Sequence, residues 1–231
     1  MSMEILNSPF FGLILTILAF NIGLYIFEKS GKFPLFNPLL ISGIIVISLM
    51  EGFNIPLSYY QKGGVMLSFF LAPATIALAL PLYKQVDKLR EHFFPIIVGA
   101  LVGAVTAIVS IIFIGKALGI DEVLLKSFMP KSITTPLGIE LSALVGGIPA
   151  ITIFAIIITG ITGNAIAPFV CKYFGIKHPV AKGLGIGISS HAVGTAKAIE
   201  MGEIEGAMSA LSIVIAGIIT FLVAPLLLFL I

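Results

Sequence analysis

Charge is scarce in this chain: Asp, Glu, Lys and Arg together make up 10% of its 231 residues, where soluble domains carry about 25%. Tryptophan is absent, so tyrosine and phenylalanine must serve as interfacial aromatics. Cys171 is the only cysteine, which excludes an intrachain disulfide and a thiolate metal cluster. His92, His178 and His191 are scattered and lack paired metal-ligand spacing. No metal or other cofactor is expected, and no nucleic-acid signature is visible. Met1–Ser8 has no basic segment and no small-residue cleavage site follows, so the first apolar run is expected to be a span rather than a signal peptide.

What is abundant is apolar sequence. Hydrophobic residues make up 58%, mean hydropathy is +1.17, and apolar runs near the ~20 residues of a membrane span recur along the whole length. The fold class implied is an all-α polytopic membrane protein in a lipid bilayer, organised as a single membrane domain over 1–231. Spans are expected at 10–27, 35–50, 67–83, 93–114, 148–170 and 206–230, with a polar loop at 51–62 and a connector at 116–131. With a broken helix at 183–200 this makes about seven spans. The stretch 132–147 is too short and too broken for a clean span and reads as a re-entrant or interfacial half-helix.

The run Lys182-Gly-Leu-Gly-Ile-Gly-Ile-Ser-Ser-His-Ala-Val-Gly-Thr-Ala-Lys-Ala-Ile-Glu200 interrupts the apolar sequence. Polar and ionisable groups at membrane depth are costly and mark a pathway or site. Gly183, Gly185 and Gly187 disfavour regular helix, and Ser189 or Ser190 can cap a helix running on to Met201. The expected structure is an extended first stretch, a break near mid-depth and a half-helix, together crossing the membrane. The exposed N–H groups of a half-helix suit an anion, and transporters bind substrate at such breaks. A Gly-rich helix packed closely on its neighbours is the competing account.

The expected anion-binding set is Ser189, Ser190, His191, Gly194, Thr195 and Lys197, joined by Lys131, Thr134 and Thr135, with His191 or Glu140 for proton coupling and Glu200 as a charge partner. Lys197 and Glu200, three apart, can pair. His191 reads equally as a proton carrier or as a satisfied polar residue at a break. In Lys131-Ser-Ile-Thr-Thr-Pro-Leu-Gly-Ile-Glu140, Thr134 or Thr135 can cap a half-helix with Pro136 at its start. Glu140 then needs a partner, Lys131 or Lys197, or water; an interfacial Glu140 is the alternative. Asn164 is expected to bond across helices. Ser190 and His191, being adjacent, point in different directions and form no nucleophile–base pair, so no enzyme is expected.

Charge sets an expected orientation. Placing Lys29, Lys32, Lys84, Lys88, Arg90, Lys172, Lys177 and Lys182 on the cytoplasmic side leaves Lys62, Lys116, Lys126 and Lys131 opposite. The acidic turn at 200–205 then faces outward. Ala72-Pro-Ala-Thr75 in one broken span matches Ser190-His-Ala-Val193 in the other. This suggests an inverted repeat, about 34–114 against about 132–231, with two broken helices.

Pro130-Lys-Ser-Ile-Thr-Thr-Pro136, Gly147-Ile-Pro149, Ser189-Ser-His-Ala-Val-Gly-Thr-Ala-Lys-Ala-Ile-Glu200 and Glu205-Gly-Ala-Met-Ser-Ala-Leu-Ser212 closely resemble the LrgB/CidB family. The resemblance implies a bacterial cytoplasmic-membrane protein working with a small LrgA/CidA-type membrane partner. It also implies an antiholin-like role in murein hydrolase export and autolysis. Plastid relatives exchange glycolate and glycerate, and bacterial ones are linked to pyruvate uptake. Taken with the residues, it implies a transporter or facilitator of a small carboxylate substrate such as pyruvate, glycolate or glycerate. The alternative is a holin- or antiholin-like pore or regulator without transport. A homodimer is compatible with the Gly/Ala-rich spans.

Overall fold

A computed structural model describes residues 6–70, 73, 76, 83 and 86–231. The described residues are helical throughout, with no strand among them. They fall into two compact units, Met1–Ala77 and Leu78–Ile231. Pro9–Lys29, Phe93–Ala117, Pro149–Tyr173 and Glu203–Leu226 are each long and apolar enough to cross a membrane. Large apolar side chains such as Phe154, Phe169, Leu222 and Leu226 are exposed on them. In water that surface would be a liability; against lipid it is the expected one.

The first unit holds α1 (Pro9–Lys29), α2 (Pro38–Gly52) and α3 (Leu57–Phe69). Ser8 and Asn37 cap α1 and α2 with side-chain oxygens, each followed by proline at the helix start. A Cβ on Gly63 would sit 2.6 Å from the Gly12 backbone, so α1 and α3 cross backbone to backbone there. Thr16 and Tyr60 hydroxyls, 2.9 Å apart, bond across the same crossing. The expected loop at 51–62 is therefore wrong in its second half: Pro56 sets the entrance and helix begins at Leu57. The broken span expected at 67–83, and with it the first copy of the inverted repeat, lies largely outside the described residues.

The second unit contains α4 (Val86–Glu91), α5 (Phe93–Ala117), α6 (Glu122–Phe128), α7 (Thr135–Val145), α8 (Pro149–Tyr173), α9 (Pro179–Met201) and α10 (Glu203–Leu226). Asp121 caps α6 with its carboxylate, inside what reads in sequence as a plain connector. The half-helix expected at 132–147 is α7. It ends at Gly146 in a left-handed conformation (φ 80°). Its 11 residues span about 16 Å, too little to cross a hydrocarbon core of about 30 Å.

Helix α9 is broken at one residue, His191, whose φ of 42° and ψ of −143° belong to no helix. The contacts on either side fix the direction of the two arms. Gly183 abuts Glu205 and Met208, and Gly187 abuts Ser209 and Ser212, so the arm 179–190 runs parallel to α10. Thr195 bonds Ser209 and Ile199 abuts Gly206, so the arm 192–201 runs antiparallel to α10. The two arms are therefore antiparallel to each other. Ile186 touches Gly194 across them and packs with Ala198 and Met201. The segment is a re-entrant helical hairpin.

This corrects two expectations. Gly183, Gly185 and Gly187 are helical, not extended, and Gly183 and Gly187 let α10 carbonyls approach where a Cβ would collide. The segment also does not cross: its ends lie together, as the 3.7 Å pair between Lys182 Nζ and Glu205 Oε1 requires. The acidic turn at 200–205 is thus on the same side as Lys172, Lys177 and Lys182, not the opposite one. Each arm spans about 15–18 Å, enough to reach mid-depth and return. The tip is indeed at mid-depth, level with Gly160 and Gly163 of α8, and Ile188 meets Gly103 of α5.

A cysteine scan in a Cys171→Ser background checks the hairpin. Cysteines at Lys177 and Glu203 are expected to react with an impermeant thiol reagent from the same side of a sealed vesicle, and one at Leu118 from the other. Labelling of 177 and 203 from opposite sides would mean a single crossing.

Candidate functional site

Two irregular elements meet near mid-depth of the second unit from opposite sides. From one side comes the hairpin tip, Ser189–His191. From the other comes the turn 129–134 and the N-terminus of α7. Gly138 lies against Ile156, and Ser142 bonds Thr152 at 2.7 Å, so α7 runs antiparallel to α8 and aims its N-terminus at the tip's level. Helix N-termini carry partial positive charge, and both α7 and the arm 192–201 begin here.

The tip is held by α8. His191 Nε2 lies 2.9 Å from the Ile156 carbonyl, which accepts only if that nitrogen carries the proton. Asn164 Nδ2 donates to the Val193 carbonyl at 2.9 Å, the cross-helix bond expected of it. A Cβ on Gly163 would overlap the Ser190 hydroxyl, and one on Gly160 would press on the His191 ring and Val193. A backbone strained as at His191 costs about 1–3 kcal/mol, and these contacts hold it in place.

Between α8 and the first hairpin arm runs a groove of about 550 Å³. Its inner end carries Ser189, Ser190 and Lys131, and its mouth carries Cys171, Ile176 and Lys182. Thr159 and Thr162 add hydroxyls, while Ile158, Ile166, Val170 and Ile186 make the wall apolar. Gly185 lines it with no other group near its would-be Cβ, so that residue leaves the groove open. Ser189 and Ser190 hydroxyls bond each other at 3.0 Å, and Lys131 Nζ donates to Ser132 Oγ at 3.3 Å.

The expected site residues therefore divide. Lys131, Ser189 and Ser190 come together on the groove. His191 is buried and turned to Ile156. Gly194 packs under Ser190 and Ile186. Thr195 donates to the His191 carbonyl at 2.9 Å and so accepts from Ser209 at 2.7 Å, between the hairpin and α10. Lys197 pairs with Glu200 at 2.9 Å near the hairpin base, away from the groove lining. Thr134 and Thr135 are half-buried at the start of α7 and do not line the groove; Thr134 caps with its backbone only. Glu140 is exposed on α7.

Sequence reading passed over Thr159, Thr162 and Gly163, although Thr159-Gly-Ile-Thr-Gly163 places hydroxyls and glycines three apart on one helix face. It also passed over the hydroxyl cluster that seats α7. Ser127 Oγ accepts from Ile148 N, and Thr152 Oγ1 lies 2.7 Å from both the Ser127 carbonyl and Ser142 Oγ.

The LrgB-like family model matches residues 16–230. Proteins named antiholin-like protein LrgB from Bacillus mycoides (strain KBAB4), Bacillus cereus (strain B4264) and Bacillus anthracis (strain CDC 684 / NRRL 3495) are each 40% identical over 218 residues. The match covers 94% of this chain and 95% of each relative. No solved structure matches.

Gly163→Ala is expected to destabilise the protein in detergent by about 1–3 kcal/mol through overpacking against Ser190, read as a fall in thermal midpoint. Adding Ser190→Gly removes the obstructing side chain and is expected to restore most of the loss. No recovery would mean that the tip is not seated on Gly163.

Proposed function

The chain belongs to the LrgB-like family, and from that premise we propose that it is a transporter or facilitator of small monocarboxylates in the bacterial cytoplasmic membrane. The observation that carries this reading is the groove that runs from Lys182 to a mid-depth helix break beside Lys131. A small hydroxy- or keto-acid has a carboxylate for Lys131 and a second oxygen for Ser189 or Ser190. Helix termini converging on one level from opposite sides are the arrangement in which transporters bind anions. Alternating access then follows if the hairpin moves against the turn 129–134. The side bearing Lys172, Lys177 and Lys182 is cytoplasmic by the excess of lysine there, which makes this an inward-open groove.

Lys131 takes the role of substrate cation that sequence alone divides between Lys131 and Lys197, because Lys197 is engaged with Glu200. Of His191 and Glu140, His191 is the better placed for proton coupling: it is one residue from Ser190 and at the break. A small LrgA/CidA-type membrane protein is the partner that the family implies, and a homodimer remains compatible with the Gly/Ala-rich helices. The second reading, a regulator of murein hydrolases or a holin-like pore, rests on the relatives' name, antiholin-like. A lined groove that stops at mid-depth favours a carrier over an open pore.

Counterflow of labelled pyruvate and glycolate into proteoliposomes, with and without the small partner, tests the proposal. Wild type and Lys197→Ala are expected to show saturable exchange. Lys131→Ala removes the cation and Gly185→Leu fills the groove; each is expected to reduce exchange at least about tenfold, the scale of one lost charge-assisted hydrogen bond. Leak of unrelated solutes of similar size, with no saturable exchange in any preparation, would overturn it in favour of the pore.

A further inference from the structure

Lys182 lines the groove and also a second cavity of about 360 Å³ at its mouth, with Lys172 and Lys177. Among the described residues, it is the one of these lysines held by a carboxylate: Glu205 Oε1 lies 3.7 Å from its Nζ, and the two side chains are only 25% and 12% exposed. Glu205 reaches it from α10 and lines neither cavity. Lys131, at the inner end, bonds a serine hydroxyl and, among the described residues, no carboxylate within 4 Å. Among the described residues, no carboxylate lines the groove itself. The groove thus presents two lysines, one neutralised from behind and one not.

A half-buried ion pair is poor evidence for stability, because desolvation offsets much of the attraction. Its position offers another role. Lys182 and Ser189 are seven residues apart on one arm, roughly 10 Å along the helix. Lys131 and Lys182 thus mark the inner end and the mouth of one groove. With Glu205 ionised, only the inner ammonium is free to balance a substrate charge. A second carboxylate would have to displace Glu205 from Lys182 or lie near it uncompensated. Without Glu205, both ends of the groove would accept an anion.

We infer that Glu205 is a specificity-determining residue that sets substrate valence: by neutralising Lys182 it restricts the groove to monoanions and rejects dianions of the same length. This rests on the carrier reading above and names what that site excludes. The lysines of the mouth cavity, Lys172 and Lys177, are exposed and screened by salt. They attract anions of either valence and do not select between them.

The test uses proteoliposomes of the full chain and three labelled probes: pyruvate, butyrate as a four-carbon monoanion, and succinate as a dianion of similar length. Wild type is expected to take up pyruvate and butyrate and to exclude succinate. Glu205→Gln is expected to raise the succinate-to-butyrate ratio roughly tenfold or more, since a unit charge at ion-pair distance discriminates at least that strongly at the effective dielectric of a partly buried site. Adding Lys182→Met to Glu205→Gln is expected to return the ratio to the wild-type value. A folded Glu205→Gln protein that moves butyrate with an unchanged ratio would overturn the inference while leaving the carrier reading intact.

A second measurement reads occupancy directly. In a Cys171→Ser background, Thr162→Cys places a thiol on the groove, next to the residue that packs on Ser190, so bound substrate slows its modification by a small thiosulfonate. Butyrate is expected to protect it and succinate, at the same concentration and ionic strength, is not. Equal protection by both overturns the inference. Protection by no probe, with no uptake of any, overturns the carrier reading itself.

Discussion

The larger unit depends on the close approach of the first hairpin arm to α10. At Gly183 and Gly187 the missing side chains let the helices pack against the Glu205 and Ser209 carbonyls. In a bilayer the hydrophobic effect does little to bring helices together, so van der Waals contact and interhelical hydrogen bonds must do it. The hydroxyls of Thr195, Ser209 and Ser212 lie in that interface, fully buried or nearly so, and each has a partner. Because α10 packs along one arm in parallel and the other in antiparallel sense, a single helix braces both halves of the hairpin.

The same rule explains why a break can exist at mid-depth at all. Irregular backbone within the hydrocarbon is tolerated only where protein or a water-lined cavity satisfies it. Here α8 supplies the satisfaction, through Asn164 to the Val193 carbonyl and through the Ile156 carbonyl to His191. The run 189–195 thus combines two structural roles along its length. Ser189 and Ser190 face or border the groove, while His191, Gly194 and Thr195 build the support beneath them.

The all-helical fold, the short half-helix after Thr134 and the existence of a break were legible because each leaves a local signature: hydropathy, a Thr–Pro cap, and polar residues within apolar sequence. The hairpin was not. Twenty-three residues are enough to cross once or to go halfway and return, and hydropathy is the same for both. What decides is the pairing of Gly183 and Gly187 with α10, a contact between segments that no local pattern encodes. Glycine in sequence reads as helix-breaking, yet here it is a packing residue. Lys197 shows the same limit. Its spacing from Glu200 announces the ion pair, but nothing local says that the residue lies off the groove lining. Lys131, distant in sequence, reaches the serines only because α7 turns its N-terminus inward.

The polar content of α9 has a consequence for how the protein is made. Although it is 23 residues long, it is not among the helices apolar enough to cross a membrane by themselves. Its partners on both sides, α8 and α10, are. During biosynthesis α8 emerges first and the hairpin next, but the helix that braces both arms follows only after them. The hairpin therefore waits at the membrane surface until α10 is available. Insertion of the groove-lining element thus depends on α10, and a chain that has not finished folding has no groove to open.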